Sequence, residues 1–229
     1  GRPLNNCQSR LFRNLGSPNP GVFEDVTVAA GLHVYRGTIS FRFSPRFGDL
    51  DGDGDPDVVW LEDQTVMISW FENRSAGSEF QASAFLTDSG QGEIRLVDLD
   101  CDLDLDLVQF GSSGRRVVFF ENTDGVGTLG SAQTLAASAH LSDVAAASRF
   151  ADFDSDGDLD VFRGLWEAGG VGWLENDGAG NLEARGGGTF DGEIRRFIFP
   201  HPLDWDGDGN VDILIAEIGS FEFFRNPGS

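Results

Sequence analysis

Four short acidic segments carry the chemistry that this sequence offers. They begin at Asp49, Asp98, Asp152 and Asp204 and read DLDGDGDPD, DLDCDLDLD, DFDSDGDLD and DWDGDGNVD. In a tightly curled loop, such spacing brings the carboxylates of positions 1, 3, 5 and 9 and the carbonyl of position 7 to one point. Hard oxygen ligands in that number suit calcium, and without a cation the like charges would repel one another. The segments therefore predict up to four calcium sites.

We number the segments as loops 1 to 4 and their residues as positions 1 to 9. The predicted ligands, with the position 7 carbonyl last in each set, are Asp49, Asp51, Asp53, Asp57 and Asp55; Asp98, Asp100, Asp102, Asp106 and Asp104; Asp152, Asp154, Asp156, Asp160 and Asp158; and Asp204, Asp206, Asp208, Asp212 and Asn210. Carboxylates fill positions 1, 3, 5 and 9 in every loop, which leaves little room for a substrate on the ion. The calcium is therefore predicted to be structural.

The loops are not predicted to be equal. Position 6 requires a left-handed backbone, which Gly54, Gly157 and Gly209 supply, whereas loop 2 has Leu103 there. A non-glycine residue in that conformation costs about 1 kcal/mol or more. We therefore predict that the second site is the weakest.

An EF-hand is the competing explanation for Asp-x-Asp-x-Asp-Gly, but it needs a bidentate Glu at position 12 and a helix on each side. Position 12 is Trp60, Gln109, Arg163 or Ile215. The EF-hand interpretation fails in all four loops, and the apolar run after position 9 favours a strand.

The loops belong to a longer repeat. They lie 49, 54 and 52 residues apart, a period typical of propeller blades or solenoids. An extended stretch precedes each loop: ISFRF from Ile39, EIRLV from Glu93, VAAASRF from Val144 and EIRRFIF from Glu193. An apolar run follows each loop, at 57–61, 106–110, 160–165 and 212–217. A second run then ends in WFEN, FFEN, WLEN or FFRN, and a Gly-rich turn opens a further strand. Four short strands in about 50 residues predict an all-β fold of β-propeller blades. Little helix is expected, 28–32 and 134–141 being the best candidates.

The repeat predicts one propeller domain over residues 1–229, with units at about 33–86, 87–135, 136–188 and 189–229. LFRN at 11–14 and GVF at 21–23 resemble a third and a fourth strand, so residues 11–32 are expected to complete the last blade and hide its edge. The third-strand signature occurs five times and the loops four times. The ring is therefore either a closed four-bladed one, or part of a larger ring or of a homo-oligomeric one.

Charge limits the partners. The net charge is −22, and the four loops hold 19 of the 38 acidic residues, so four calcium ions would leave −14. That balance argues against nucleic acid and anionic membrane surfaces. No apolar run is long enough to insert into a membrane. Millimolar free calcium is found outside cells, so an extracellular or cell-surface location is expected, with any secretion signal already removed.

Two cysteines, Cys7 and Cys101, are too few and too far apart for a zinc site. A disulfide would tether the N-terminal segment to loop 2, where Cys101 occupies position 4. A bridge and two free thiols both remain open.

The loops, the aromatic-x-Asn signature and FEDVTVAAGL at 23–32 together resemble the FG-GAP or VCBS repeat family, relatives of the integrin α-chain propeller. The resemblance extends from about Leu11 to Asn226. It implies calcium between the first two strands of each blade, at the ligands given above. Phe-Gly occurs at Phe47 and Gly48 but Gly-Ala-Pro does not, so integrin-type ligand recognition is not implied.

A non-catalytic recognition, adhesion or scaffolding module is the predicted function, with an unknown protein or glycan as partner. His33, His140 and His201 share no catalytic spacing, and no nucleophile or phosphate-loop motif occurs. The alternatives are a carbohydrate-binding lectin and the propeller part of a secreted polysaccharide-active enzyme. The repeated aromatics are expected in the core between blades, the other interpretation being sugar-stacking platforms; they are Trp70, Phe119, Trp173 and Phe223.

Overall fold

The described chain consists of strands, turns and loops. The computed structural model describes residues 10–32, 45–62, 67–74, 79–87, 92–111, 116–137, 148–165, 170–185, 199–217 and 220–228. These ranges hold seventeen strands in five antiparallel sheets. They contain no helix, and hence none that is long and apolar enough to cross a bilayer. The predicted all-β class is confirmed.

The first of two compact units comprises residues 1–88 and 124–127. Its two-stranded sheet pairs β1 (Phe12–Asn14) with β2 (Phe23–Asp25). Its four-stranded sheet has neighbouring strands in chain order, β3 (Arg46–Gly48), β4 (Asp57–Glu62), β5 (Met67–Asn73) and β6 (Phe80–Thr87).

The second unit comprises residues 89–123 and 128–229 and contains three sheets, again with neighbouring strands in chain order. The first has β7 (Gly92–Val97), β8 (Asp106–Gly111), β9 (Arg116–Phe120) and β10 (Gln133–Ala137). The second has β11 (Ser148–Ala151), β12 (Asp160–Leu165), β13 (Gly170–Asn176) and β14 (Leu182–Ala184). The third has β15 (Phe199–Leu203), β16 (Asp212–Glu217) and β17 (Ser220–Phe224).

Apolar contacts join consecutive sheets of the second unit. Every residue of β8 is buried, as expected for a strand covered on both faces. One cluster holds Val108 and Phe110 of the first sheet together with Leu174 and Leu182 of the second. Another joins Phe162 to the third sheet. Sheets that pack face to face in this way are the building plan of propeller blades.

The first unit has its own core. Ala30 and Leu32 pack with Val58, Phe71 and Phe80. The backbone N–H of Phe80 also donates to the carbonyl of Ala30 at 2.7 Å. The segment after β2 is therefore fixed against the four-stranded sheet.

The predicted strands are largely confirmed. All four apolar runs after the loops form strands, as do 93–97 and the parts of the other first strands that the structure describes. Residues 39–43, 144–147 and 193–198 lie outside the described residues, as do Cys7, His33 and His140. The helix candidates form turns at 27–31 and strand β10 at 133–137, and 138–141 lie outside the described residues.

The four sheets that carry loops occupy residues 46–87, 92–137, 148–184 and 199–224. Three have four strands, and the C-terminal one has three, as the sequence predicted. The extent of the single domain, the closure of a ring and the contribution of residues 11–32 to the last blade stay predictions.

Candidate metal centres

The four acidic loops occupy equivalent places in their sheets. Loops 1 to 4 connect β3 to β4, β7 to β8, β11 to β12 and β15 to β16, and position 9 is always the first residue of the second strand. The predicted location between the first and second strands of each sheet is confirmed. Each strand therefore anchors one end of a predicted ligand set.

Two hydrogen bonds recur in every loop. The backbone N–H of position 6 donates to a carboxylate oxygen of position 1, at 2.9 Å in loop 1 and 3.1 Å in the others. The N–H of position 7 donates to Oδ1 of position 5 at 2.8–3.2 Å. The loops thus curl as predicted and share one backbone conformation.

Two positions of each loop have a left-handed backbone. Position 6 was expected to, and its φ lies between 79° and 103° in all four loops. Position 4, which the sequence analysis missed, has φ between 62° and 76°. It is glycine in loops 1 and 4, Ser155 in loop 3 and Cys101 in loop 2. Loop 2 alone has a non-glycine residue at both positions, Cys101 and Leu103.

Relief of this strain should strengthen loop 2. Leu103 has φ 79° and is 93% exposed, so Leu103→Gly removes a backbone penalty without opening a cavity. We expect a stabilisation of about 1 kcal/mol and tighter calcium binding at that loop. Urea unfolding and calcium titration measure the two effects. Val126→Gly is the control, because Val126 is also an exposed loop residue but is not among the positive-φ residues. Destabilisation by Leu103→Gly would contradict the strain argument.

Each loop brings three carboxylates close together. In loops 1 and 3 they are those of positions 1, 3 and 5, and in loops 2 and 4 those of positions 1, 3 and 9. Within each group one oxygen per residue lies within 4.8 Å of the others. Two oxygens on one calcium ion are at most about 5 Å apart, because a Ca–O bond is 2.3–2.6 Å long. The groups are Asp49, Asp51 and Asp53; Asp98, Asp100 and Asp106; Asp152, Asp154 and Asp156; and Asp204, Asp206 and Asp212.

Several loop oxygens are buried without a hydrogen-bond partner. Among the described residues they are Oδ1 of Asp49, Asp98, Asp100, Asp104 and Asp158. A buried ionised oxygen is costly unless a donor or a cation satisfies it. Two of the five belong to position 7, where only the carbonyl was predicted to bind. These loops therefore fit a divalent cation, with more negative charge around it than the sequence analysis assigned.

The position 9 aspartates also have a structural role that the sequence analysis missed. All four are fully buried. One oxygen accepts the N–H of position 2 at 3.0–3.1 Å, and the other accepts the N–H of the aromatic-x-Asn asparagine at 2.8–2.9 Å. Position 9 and the asparagine are 16, 16, 16 and 14 residues apart in the four repeats, and this near-constant spacing is the sequence signal that could have predicted their contact. Their role as metal ligands stays a prediction.

The residue before that asparagine sets the charge beside each loop. Burial raises the pKa of the position 3 aspartate in loops 1 to 3, and a nearby glutamate adds to the rise; the pairs are Asp51 with Glu72, Asp100 with Glu121, and Asp154 with Glu175. In loop 4 the equivalent residue is Arg225, which lies 2.6 Å from Asp206 and 3.1 Å from Asp208. Loop 4 is thus the one of the four with a basic side chain at this place.

Three loop carboxyls have strongly raised pKa values. Burial raises the pKa of Asp106 to about 7, although two backbone hydrogen bonds oppose the rise. Burial, followed by the negative charge of the neighbouring position 5 carboxylate, raises the pKa of Asp104 and Asp158 to about 6.

These values predict opposite effects of pH with and without calcium. In calcium-depleted protein the folded state holds protons more tightly than the unfolded chain, so stability should rise as the pH falls from about 8 to 5. In saturating calcium the ion binds the deprotonated carboxylates, so acid should displace it and lower stability over the same interval. Urea midpoints measured in both buffers test this prediction. Slopes of equal sign would contradict it.

The repeated aromatics mostly lie in cores, as expected. Trp70 and Phe119 are buried, and Trp173 is partly buried and packs against the cluster of Phe162. The Trp70 indole N–H also donates to Asp57 at 3.0 Å, which ties β5 to loop 1. Phe223 differs, because 40% of it is exposed.

Comparison with known proteins agrees with this geometry. The family described as FG-GAP-like repeat matches residues 49–109 and 152–215, which is more than half of the chain. No curated protein matches.

Two solved structures are among those to which this chain is similar. A lectin from Agrocybe aegerita, described for its specific recognition of non-reducing terminal N-acetylglucosamine, is 20% identical with a TM-score of 0.56 over 90% of this chain and 54% of its own. The chain therefore spans about half the length of that lectin. A chain of the Photorhabdus luminescens Tc holotoxin pore is 14% identical with a TM-score of 0.45, over 94% of this chain and 12% of that one. The lectin supports the β-propeller fold class, and the family match, which begins at the first aspartate of loops 1 and 3, shows that the chain belongs to the FG-GAP-like repeat family.

Proposed function

We propose that the chain is a calcium-stabilised, non-catalytic β-propeller module that presents a recognition surface outside the cytoplasm. One observation carries the proposal. Equivalent loops each gather three carboxylates within 4.8 Å, and several of their buried oxygens have no hydrogen-bond partner. A divalent cation in each loop would satisfy these oxygens.

Calcium fits this donor set better than magnesium. The grouped oxygens are those of carboxylates, the predicted further ligand is a backbone carbonyl, and calcium accepts six to eight such oxygen ligands in variable geometry. Magnesium demands near-ideal octahedral geometry and retains several waters. The first and third sites each take all three grouped carboxylates from alternate positions of one short loop, which supports a structural ion.

A recognition role is favoured over catalysis. The acidic side chains of the loops are fixed by backbone hydrogen bonds that recur in all four repeats, as expected for structural elements. His201 is the one histidine in the described ranges, and it is exposed on β15. An extracytoplasmic location follows from the weak affinity expected of such loops, about 10⁻⁴ to 10⁻³ M, which requires millimolar calcium.

Calcium stoichiometry combined with a charge-removing substitution tests the proposal. We expect up to four calcium ions per chain, and one fewer in Asp154→Asn. In calcium the variant should unfold more easily than the parent, whereas in chelator it should be as stable or more stable, because one repelling charge is gone. Glu183→Gln is the matched control, since Glu183 is an exposed carboxylate on β14 of the same sheet.

The outcomes separate clearly. A sign reversal for Asp154→Asn, with an unchanged response for Glu183→Gln, supports a bound cation. Absence of calcium from the purified protein, with equal stability in chelator, would overturn the proposal.

Glycan recognition is the second candidate function, and an exposed aromatic pair favours it. Trp205 is 68% exposed, and its ring centroid lies 5.5 Å from that of Phe223. Arg225 follows Phe223 by two residues, and Trp205 is position 2 of loop 4. Arg225 pairs with Asp206 and Asp208 of the same loop. An aromatic face beside charged hydrogen-bonding groups suits a sugar ring, which has one apolar face and a polar edge.

A glycan array that includes terminal N-acetylglucosamine tests this second candidate. We expect Trp205→Ala to abolish binding and Phe47→Ala, which removes an exposed aromatic of the first unit, to leave it intact. Retention of glycan binding by Trp205→Ala would remove this pair from consideration. Binding of no glycan would leave a protein partner as the recognition target.

A further inference from the structure

We infer that calcium binding at loops 2, 3 and 4 is cooperative and that Asn176 and Asn226 couple neighbouring loops. This inference rests on the proposed calcium binding. All residues involved belong to the second unit.

The coupling begins at Leu99, position 2 of loop 2. Its N–H donates to Asp106 at 3.0 Å, and its carbonyl accepts the side-chain amide of Asn176 at 2.7 Å. Leu99 is fully buried, and 1% of Asn176 is exposed, so water does not compete for these bonds. Asn176 belongs to the next sheet, so its side-chain hydrogen bond joins loop 2 to that sheet.

The same asparagine also holds loop 3. Its backbone N–H donates to Oδ1 of Asp160 at 2.9 Å, and its side-chain amide also approaches the carbonyl of Leu159 at 3.3 Å. Asp160 is position 9 of loop 3. One residue thus connects the backbone of loop 2 to a predicted ligand of loop 3.

The connection repeats one sheet further on. Phe153, position 2 of loop 3, donates its N–H to Asp160 at 3.0 Å and accepts the side-chain amide of Asn226 at 3.0 Å. The N–H of Asn226 then donates to Asp212 of loop 4 at 2.8 Å. An unbroken chain of hydrogen bonds therefore runs from Asp106 through Asp160 to Asp212.

The turn that directly follows Asn176 lies beside loops 2 and 3. The turn at 177–181 packs between them, so that a Cβ added at Gly180 would lie 3.3 Å from the Phe119 ring and 3.6 Å from Cβ of Asp100. One added at Gly178 would lie 3.1 Å from a carboxylate oxygen of Asp158. The turn thus lies close to Asp100 of loop 2 and to Asp158 of loop 3.

This geometry implies cooperativity. An ion in loop 2 would fix Asp106 and Leu99, and thereby the amide of Asn176, before loop 3 binds. The second ion then loses less conformational entropy, which raises its affinity. Coupling between neighbouring sites commonly amounts to about 5-fold or more in affinity.

Site-resolved titration tests the inference. The backbone amides of the position 6 residues Leu103, Gly157 and Gly209 report each loop separately by NMR, because each donates to a position 1 carboxylate of its own loop. Blocking loop 3 with Asp152→Asn should lower the calcium affinity of loop 2 and of loop 4 by about 5-fold or more.

The asparagine variants distinguish a loss of coupling between two loops from a general loss of stability. In Asn176→Ala, blocking loop 3 should no longer affect loop 2 beyond the small effect of charge, whereas loop 4 should still respond. In Asn226→Ala, blocking loop 3 should still affect the calcium affinity of loop 2 but should no longer affect that of loop 4. Asn181→Ala is the matched control, since within the described part of the chain the Asn181 amide bonds to its own turn, to Asp177 at 3.0 and 3.3 Å. It should leave both couplings intact.

Each outcome has one meaning. Independent affinities in the parent protein, or equal coupling in both asparagine variants, would overturn the inference while leaving calcium binding intact. Failure of all three amides to respond to calcium would instead reject the proposed function. Asn226 is only partly buried, so its variant supplies the test even if Asn176→Ala folds poorly.

Discussion

Calcium removal is expected to lower the midpoint of thermal unfolding by about 3 to 20 °C. At millimolar calcium and dissociation constants of about 10⁻⁴ to 10⁻³ M, each site contributes about 0.4 to 1.4 kcal/mol to the free energy of unfolding. Four sites together contribute about 2 to 6 kcal/mol, a large part of the stability of an ordinary domain. In chelator the loops also hold unneutralised carboxylates, which adds repulsion. Differential scanning calorimetry in calcium and in excess EDTA measures the shift.

Two controls make the melting experiment specific. Calcium added back should restore the midpoint, and magnesium at equal concentration should restore little of it, because magnesium demands near-ideal octahedral geometry and dehydrates reluctantly. Identical curves with and without chelator would contradict a stabilising ion.

The second large effect is expected for Asp160→Ala. Asp160 is fully buried and accepts the backbone N–H groups of Phe153 and Asn176 at 3.0 and 2.9 Å. Alanine would leave both donors unpaired in the interior, at about 1–3 kcal/mol each. Burial raises the pKa of this carboxyl, so the buried charge itself costs free energy, and its removal offsets part of the loss. We expect a net loss of about 2 kcal/mol or more in the free energy of unfolding.

The diagnostic feature is that this loss should persist without calcium. Asp156→Ala at position 5 of the same loop removes an exposed carboxylate that accepts one loop N–H, from Asp158 at 3.2 Å. In chelator it should change stability little, whereas in calcium both variants should lose the ion of loop 3. Urea unfolding of the two variants in both buffers gives the comparison. Equal stability of both in chelator would show that position 9 acts only through the metal.

The sequence predicted the sheets and the place of each loop because both follow from local pattern. Alternating aspartates, glycine at position 6 and an apolar run after position 9 are all read within one repeat. Third and fourth strands were equally recognisable from the aromatic-x-Asn signature and the turn after it.

Long-range roles were not predicted. Asn176 looks like a turn residue in sequence, yet its side chain reaches Leu99, 77 residues away. The double use of Asp160 and its equivalents was hidden for the same reason, since a carboxylate that accepts backbone N–H groups from two segments looks like any other acidic residue of the loop. The left-handed backbone at Cys101 was missed because position 4 has a different residue type in loops 2 and 3 from the glycine of loops 1 and 4.

The guanidinium of Arg225 gives the C-terminal loop a resident counter-ion. When calcium becomes scarce, this loop keeps a tethered positive group that pairs directly with Asp206 and Asp208. Order in the last sheet should therefore depend least on the calcium supply. Calcium that returns would then bind beside a loop that has kept its shape.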